Sequence, residues 1–256
     1  MQDNNSIEFS PVESSRFKYK IYRGNITNID EGLITGIINN QQPDILILRL
    51  PVDFKSEHYK LTNLGYPVLH CDTMVYYFCS LAATTITPIR NNLEFHLVTS
   101  ATQYLVDELT EELFDGYKSH YFSNPFLKKE LILQGYKEWA QSFINEKDSN
   151  KFSWYITLNG IAIAYVIYQI VDNDNCEGIL SGVKSKYAGK GIYTDIMRFA
   201  KKYFKDKGLK VMKNSTQIQN YSVQKTWINE GFRLKQAFDT YHINCFLSNK
   251  EIRSIL

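Results

Sequence analysis

The sequence predicts an α/β protein with a mixed, mostly antiparallel sheet flanked by helices, preceded by a small αβ domain. Three observations predict it. Strand-like apolar runs alternate with runs of helical period along most of the chain. Two such strand runs, Phe152 to Leu158 and Ala162 to Val171, are joined by Asn159-Gly160, the dipeptide that favours a type I′ hairpin turn. A glycine-bearing turn, Gly189-x-Gly191, then joins another strand run to a long amphipathic helix.

Taken in order, Phe17 to Leu81 reads as small αβ units. Asp44 to Leu50 is a buried-strand run closed by Pro51. Ser56 to Leu64 reads as a helix with Ser56 as N-cap, Leu61 and Leu64 at helical spacing and Gly65 as its stop. Pro67 to Leu81 resumes strand character. Ala82 to Asn92, with its threonines, Pro88 and the Asn91-Asn92 pair, is the best linker. It divides the chain into a domain over residues 1–88 and a second over 89–256.

In the second domain, Leu93 to Val98 alternates as a strand. Thr102 to Phe114 places Leu105, Leu109, Leu113 and Phe114 on one helical face. The loop His120 to Pro125 leads into a helix from about Lys128 to Ile144, with Leu131, Leu133, Trp139 and Phe143 as apolar bulk, and Asn145 to Asn150 breaks it. After the hairpin, Cys176 to Val183 is a strand whose Gly178 and Gly182 predict a bulge or a close backbone approach. Ile192 to Lys207 is a helix with Ile196, Phe199, Ala200, Tyr203 and Phe204 inward, lysines outward and Gly208 at its end. A strand from Val211 to Gln217, a helix from Ser222 to Glu230 and a strand from Phe232 to Ile243 complete the chain.

Composition narrows the function classes. Lys and Arg number 29 against 27 Asp and Glu, so a net charge of +2 gives no footprint for nucleic acid. Cys71, Cys79, Cys176 and Cys245 are scattered without metal-ligand spacing, which predicts free buried thiols and no metal site. The first residues lack the basic and apolar regions of a secretory signal, and no apolar run is long enough for a membrane helix. A cytoplasmic protein without membrane partners is expected.

The chemistry concentrates in Val183-Lys-Ser-Lys-Tyr-Ala-Gly-Lys-Gly-Ile-Tyr193. A glycine turn at a helix N-terminus aims successive N–H groups at an anion, and the helix dipole adds to the attraction. The spacing lacks the third glycine of a dinucleotide fingerprint and the Gly-Lys-Ser/Thr of a P-loop. A plain strand-to-helix turn is the competing reading.

Lys186-x-x-Gly189-x-Gly191 resembles the pyrophosphate loop of the GNAT acetyltransferase superfamily, and Asn220 to Phe232 resembles the Asn, helix, Gly-Phe segment that follows that family's fifth strand. The resemblance spans about Leu93 to Ile243. It implies a GNAT fold whose central strands splay to admit the pantetheine arm of acetyl-CoA or another acyl-CoA, used as co-substrate. It implies cofactor contacts from Val183, Lys186, Tyr187, Ala188, Gly189, Lys190, Gly191, Ile192 and Asn220, although Asn220 also reads as a helix N-cap.

Glu177 is the implied base for the amine, through water, or else a solvated strand-end carboxylate. The family's thiolate-protonating tyrosine position holds Trp227, and indole cannot serve as that acid. Tyr221, Tyr193 or Tyr241 substitutes, or solvent supplies the proton. His242 reads either as a contact to the substrate amine or acid relay or as a satisfied core histidine.

The plan resembles sugar-nucleotide acetyltransferases similar to dTDP-fucosamine acetyltransferase, which place a small αβ domain before the core. That implies a small amine acceptor, a dTDP- or UDP-linked amino sugar, with His120 and Tyr121 lining its site unless they form a surface turn. Other amines, a non-catalytic acyl-CoA-binding module and a homodimer stay open.

Overall fold

The computed structural model describes residues 6–144 and 148–248, with the backbone alone for 54–56. The described parts of Met1–Met74, Lys118–Ile132 and Gln236–Leu256 form one compact unit, and Val75–Tyr117 with the described parts of Leu133–Lys235 form a second. The units are interleaved in sequence. Strands β4 (Val68–Ser80) and β10 (Arg233–Asn244) each begin in one unit and end in the other.

In the first unit, β1 (Ser6–Phe9) pairs antiparallel with β2 (Ile21–Asn25), β2 parallel with β3 (Ile45–Pro51), and β3 antiparallel with β10. Helix α1 (Pro11–Phe17) links β1 to β2, and α2 (Glu31–Gln41) makes the crossover that the parallel pair needs. Asp30 caps α2 by accepting the Leu33 amide at 3.0 Å. Alternation in β3 sends Leu46, Leu48 and Leu50 into a core with Ile34 and Ile38 of α2 and Tyr241 and Ile243 of β10. The helix expected over Ser56 to Leu64 is instead a 3-10 stretch, Val52–Glu57, followed by one α turn, α3 (Tyr59–Thr62). The expected Ser56 cap lies outside the described side chains.

In the second unit, β5 (Leu93–Leu97), β6 (Lys151–Leu158), β7 (Ile161–Ile170) and β8 (Asn175–Val183) form an antiparallel run, and β8 then pairs in parallel with β9 (Val211–Gln217). The expected hairpin is present, with positive φ at both Asn159 (52°) and Gly160 (75°), as a type I′ turn requires. Tyr168 pairs with Gly178 and Ile167 with Leu180, so Ile179 is the extra residue of a bulge. Gly178 and Gly182 are close approaches as well. A Cβ at Gly178 would collide with the Asn214 carboxamide, and one at Gly182 with the Leu113 side chain.

Four helices accompany this sheet: α4 (Gln103–Phe114), α5 (Lys129–Ser142), α6 (Ile192–Asp206) and α7 (Tyr221–Asn229). The buried face of α4 is Val106, Leu109, Thr110 and Phe114, one step round from the expected one. Thr110 is tolerated there because its hydroxyl bonds the Val106 carbonyl and the Tyr165 hydroxyl. In α5, Ile132, Tyr136 and Ala140 are buried while Trp139 is exposed, and residues 145–147 of the expected break lie outside the described residues. Phe199 of α6 stacks on Phe95, with centroids 3.8 Å apart, and meets Trp154 edge-on.

Candidate active site

The site begins where β8 ends. A 3-10 turn, Ser185–Tyr187, leads through Gly189 (φ +74°) and Gly191 (φ +77°) into α6. These left-handed conformations favour glycine. The Asp195 amide bonds the Gly191 carbonyl at 3.1 Å, so the amides of Ile192, Tyr193 and Thr194 precede the first bond of the helical ladder. With the positive end of the helix dipole behind them, they face an anion-receiving surface. A side chain at Gly189 would find open space, with nothing within 4 Å. Lys186 and Lys190 bracket the Tyr187 ring, their Nζ atoms 5.2 and 5.3 Å from its centroid.

The loop is anchored from several sides. Lys184 pairs with Glu112 of α4 at 2.8 Å, and its amide donates to the Ile163 carbonyl. Asn91 Nδ2 donates to the Lys190 carbonyl (3.3 Å) and to Asp195 Oδ2 (2.7 Å). The buried Asp195 carboxylate also accepts the amides of Arg90 and Asn91. Asn91 belongs to the stretch expected as a linker.

The second feature is an opening in the sheet. β8 and β9 pair only at Asn175–Val211, Cys176–Met212 and Glu177–Lys213, although β8 continues to Val183 and β9 to Gln217. Beyond Glu177 the β8 edge facing β9 therefore has backbone groups without a ladder partner on that side, a row to which an extended ligand can add its own amides. Glu177 stands at the vertex, its carboxylate 2.9 Å from Lys213 Nζ, and both side chains are about three-quarters buried (25% and 27% exposed).

A hydroxyl cluster lies past the vertex. Trp227 Nε1–H donates to Tyr193 Oη at 3.2 Å, and Tyr193 Oη also lies 3.3 Å from Ser181 Oγ of β8. Burial pushes the Tyr193 phenol up, partly offset by the Ser181 and Trp227 hydrogen bonds. The Tyr117 hydroxyl donates to Gln217 Oε1 at the end of β9. Tyr77 packs against Trp227, with centroids 5.5 Å apart, and donates to Gln224.

The other expected residues are distributed as follows. Asn220 precedes α7 without capping it by its side chain, and instead donates to Thr216 Oγ1 at 3.1 Å. Tyr221 is 74% exposed. Tyr241 is in the first unit, bonded to His58.

Also in the first unit, His120 and His242 meet in a buried pair, Nδ1 to Nε2 at 2.9 Å. Asn124 Nδ2 donates to His242 Nδ1 at 3.1 Å, so His242 carries its proton on Nε2 and gives it to His120 Nδ1. Burial lowers both imidazoles, His242 to about 3. Tyr121 lies against the His120 ring and donates to Glu13, which pairs with Arg23 at 3.0 Å.

One network escaped the sequence reading, which turned the lysines of α6 outward. Lys201 is only 1% exposed, with Nζ on the Glu230 carbonyl and carboxylate. Arg198 shares that carboxylate at 2.8 Å and reaches Asp195 at 3.5 Å. The available signal was position: Lys201 falls on the apolar stripe of Met197 and Phe204.

The splayed strand pair and the glycine-turned helix N-terminus together offer an extended ligand with an anionic tail an edge to pair with and a set of amides to meet its charge. Residues 106–232, just under half of the chain, match the family described as Acetyltransferase (GNAT) family.

Solved structures agree on the fold. A functionally unknown conserved protein from Staphylococcus epidermidis ATCC 12228 superposes with a TM-score of 0.63 at 15% identity, over 95% of this chain and 92% of that one. A GCN5-related N-acetyltransferase from Kribbella flavida gives 0.56 at 9% identity, over 88% and 80%. One from Sphaerobacter thermophilus gives 0.57 at 11%, over 80% and 61%. No curated protein matches in sequence. Among the described residues no helix is long and apolar enough to cross a membrane, and no cluster of His, Cys, Asp and Glu is composed to hold a metal.

Proposed function

We propose that this protein is an acyl-CoA-dependent acyltransferase that moves an acetyl or other short acyl group to the amino group of a nucleotide-linked amino-deoxy sugar, by direct attack within a ternary complex. The observation that carries the reading is the β8–β9 opening beyond Glu177 and Lys213, which ends at the Gly189–Gly191 turn. The open cradle at Gly189 and the amides at the start of α6 suit a pyrophosphate, so Lys186 to Ile192 is assigned to that group. Val183, at the end of the β8 edge, and Asn220, after β9, are assigned to the pantetheine arm. When bound, acyl-CoA supplies an activated thioester, and the chain's part is to align it with the amine and to manage protons.

Glu177 is assigned as base, taking the proton that the nitrogen loses, through water. Tyr221, exposed at the start of α7, and Tyr193, in the hydroxyl cluster, are the candidates for the proton given to sulfur. The sugar-nucleotide acceptor comes from the sequence resemblance.

Acetyl-CoA binding by calorimetry tests the cofactor half. CoA-thiol release with dTDP- and UDP-linked amino sugars, a polyamine and an aminoglycoside tests the acceptor. Release on one sugar nucleotide supports the reading, release on another amine replaces its acceptor, and no binding of acetyl-CoA overturns it.

A further inference from the structure

We propose that Tyr193 is the acid that protonates the departing thiolate, and that Trp227 positions it; this rests on the acyl-transfer reading above. Aminolysis of a thioester forms a C–N bond, breaks the C–S bond and leaves a thiolate that must end as a thiol. The proton donor has to reach the space between the diverging strands. Tyr193 does so from the first turn of α6: its hydroxyl sits beside Ser181, on the part of β8 that no longer pairs with β9, and at the N–H edge of the Trp227 indole of α7.

The geometry divides the labour. An indole N–H is a donor only, so Trp227 occupies a lone pair of the Tyr193 oxygen and leaves the phenol proton to point elsewhere. Ser181 Oγ, 3.3 Å away, is within reach of that proton, and a thiolate is a stronger acceptor than a hydroxyl. After transfer, the same indole N–H stabilises the phenolate until the proton lost by the amine returns through Ser181 or water. The net change is one amide and one thiol formed from one amine and one thioester. Tyr221, 74% exposed at the start of α7, and Tyr241, bonded to His58 in the first unit, have neither arrangement.

The test compares Tyr193→Phe, Trp227→Phe and the double variant Tyr193→Phe/Trp227→Tyr with the unaltered protein. Steady-state CoA-thiol release is measured with whichever amine of the panel above turns over. Binding is measured by calorimetry for acetyl-CoA, CoA and desulfo-CoA, at a pH high enough to ionise the thiol of free CoA. Tyr193→Phe is expected to lower kcat about 100-fold with acetyl-CoA affinity within twofold, and to lose at least fivefold of the preference for CoA over desulfo-CoA.

Trp227→Phe should lower kcat about tenfold with KM for acetyl-CoA unchanged, since indole orients rather than donates the transferred proton. Trp227→Tyr in the Tyr193→Phe background should restore part of kcat by returning a phenol to the cluster. Unchanged kcat and unchanged thiolate preference in Tyr193→Phe would overturn the proposal while leaving the acyltransferase reading intact. Failure of the unaltered protein to bind acetyl-CoA would remove that reading and this proposal together.

Discussion

Gly189 adopts a positive φ, yet a side chain there would meet only open space, so its two roles can be separated. Gly189→Val should cost about 1–2 kcal/mol of stability through the left-handed backbone. Acetyl-CoA affinity should fall at least tenfold, because the new side chain would fill the proposed phosphate site; calorimetry and urea denaturation on one preparation check both. Gly178 gives the opposite pattern. A Cβ there would run into the Asn214 carboxamide and lie 3.2 Å from the Tyr168 ring, so Gly178→Ala should destabilise by about 1–3 kcal/mol, read as a lower urea midpoint.

The His120–His242 pair makes a prediction about pH. The unfolded chain protonates histidine near pH 6.5, whereas folded His242 does so only near about 3. The unfolded state therefore binds more protons between these values. This contribution is complete above about pH 6.5 and is lost as pH falls, at a slope approaching about 1.4 kcal/mol per pH unit for His242. His242→Gln should lower stability at neutral pH and flatten that slope in denaturation series between about pH 7 and pH 4; an unchanged slope would count against the buried pair.

Helices and strands were legible where their patterns were long. The 3.6-residue period of α6, the type I′ signal at Asn159-Gly160 and the glycines of β8 all carried a local cause that survives in the folded chain. The one-turn α3 was overread because Leu61 and Leu64 satisfy a helical spacing while only the Tyr59–Thr62 turn is α-helical. Of the site, the loop and its glycines were legible, since backbone geometry dictates those residues. The Trp227–Tyr193–Ser181 contact was not, because its members come from α7, α6 and β8 and only the fold brings them together. The buried charges of α6 were hidden for the same reason. Glu230→Gln would leave Lys201 and Arg198 with half their neutralisation, and should cost about 3 kcal/mol in urea denaturation, with little dependence on added salt.

For the chain as a whole, alternation of strand and helix announced the fold class, but the partner of each strand is a long-range property that local pattern does not encode. β3 is read easily as a strand, yet its antiparallel neighbour is β10, and the Arg49–Thr240 contact spans 191 residues of sequence. A fragment of residues 1–88 would lack β10 and the segment that carries the buried His120 and Asn124. We expect it to lack cooperative unfolding by circular dichroism, whereas a cooperative transition would show that the first unit closes without them. The interleaving also sets a timetable on the ribosome. β3 emerges before β10, and its exposed edge, rich in isoleucine and leucine, must wait through synthesis of everything between the two strands before Phe238 to Asn244 arrive to cover it. During that interval the nascent chain carries an unpaired apolar edge, a natural landing place for chaperones and a point of vulnerability if translation stalls late.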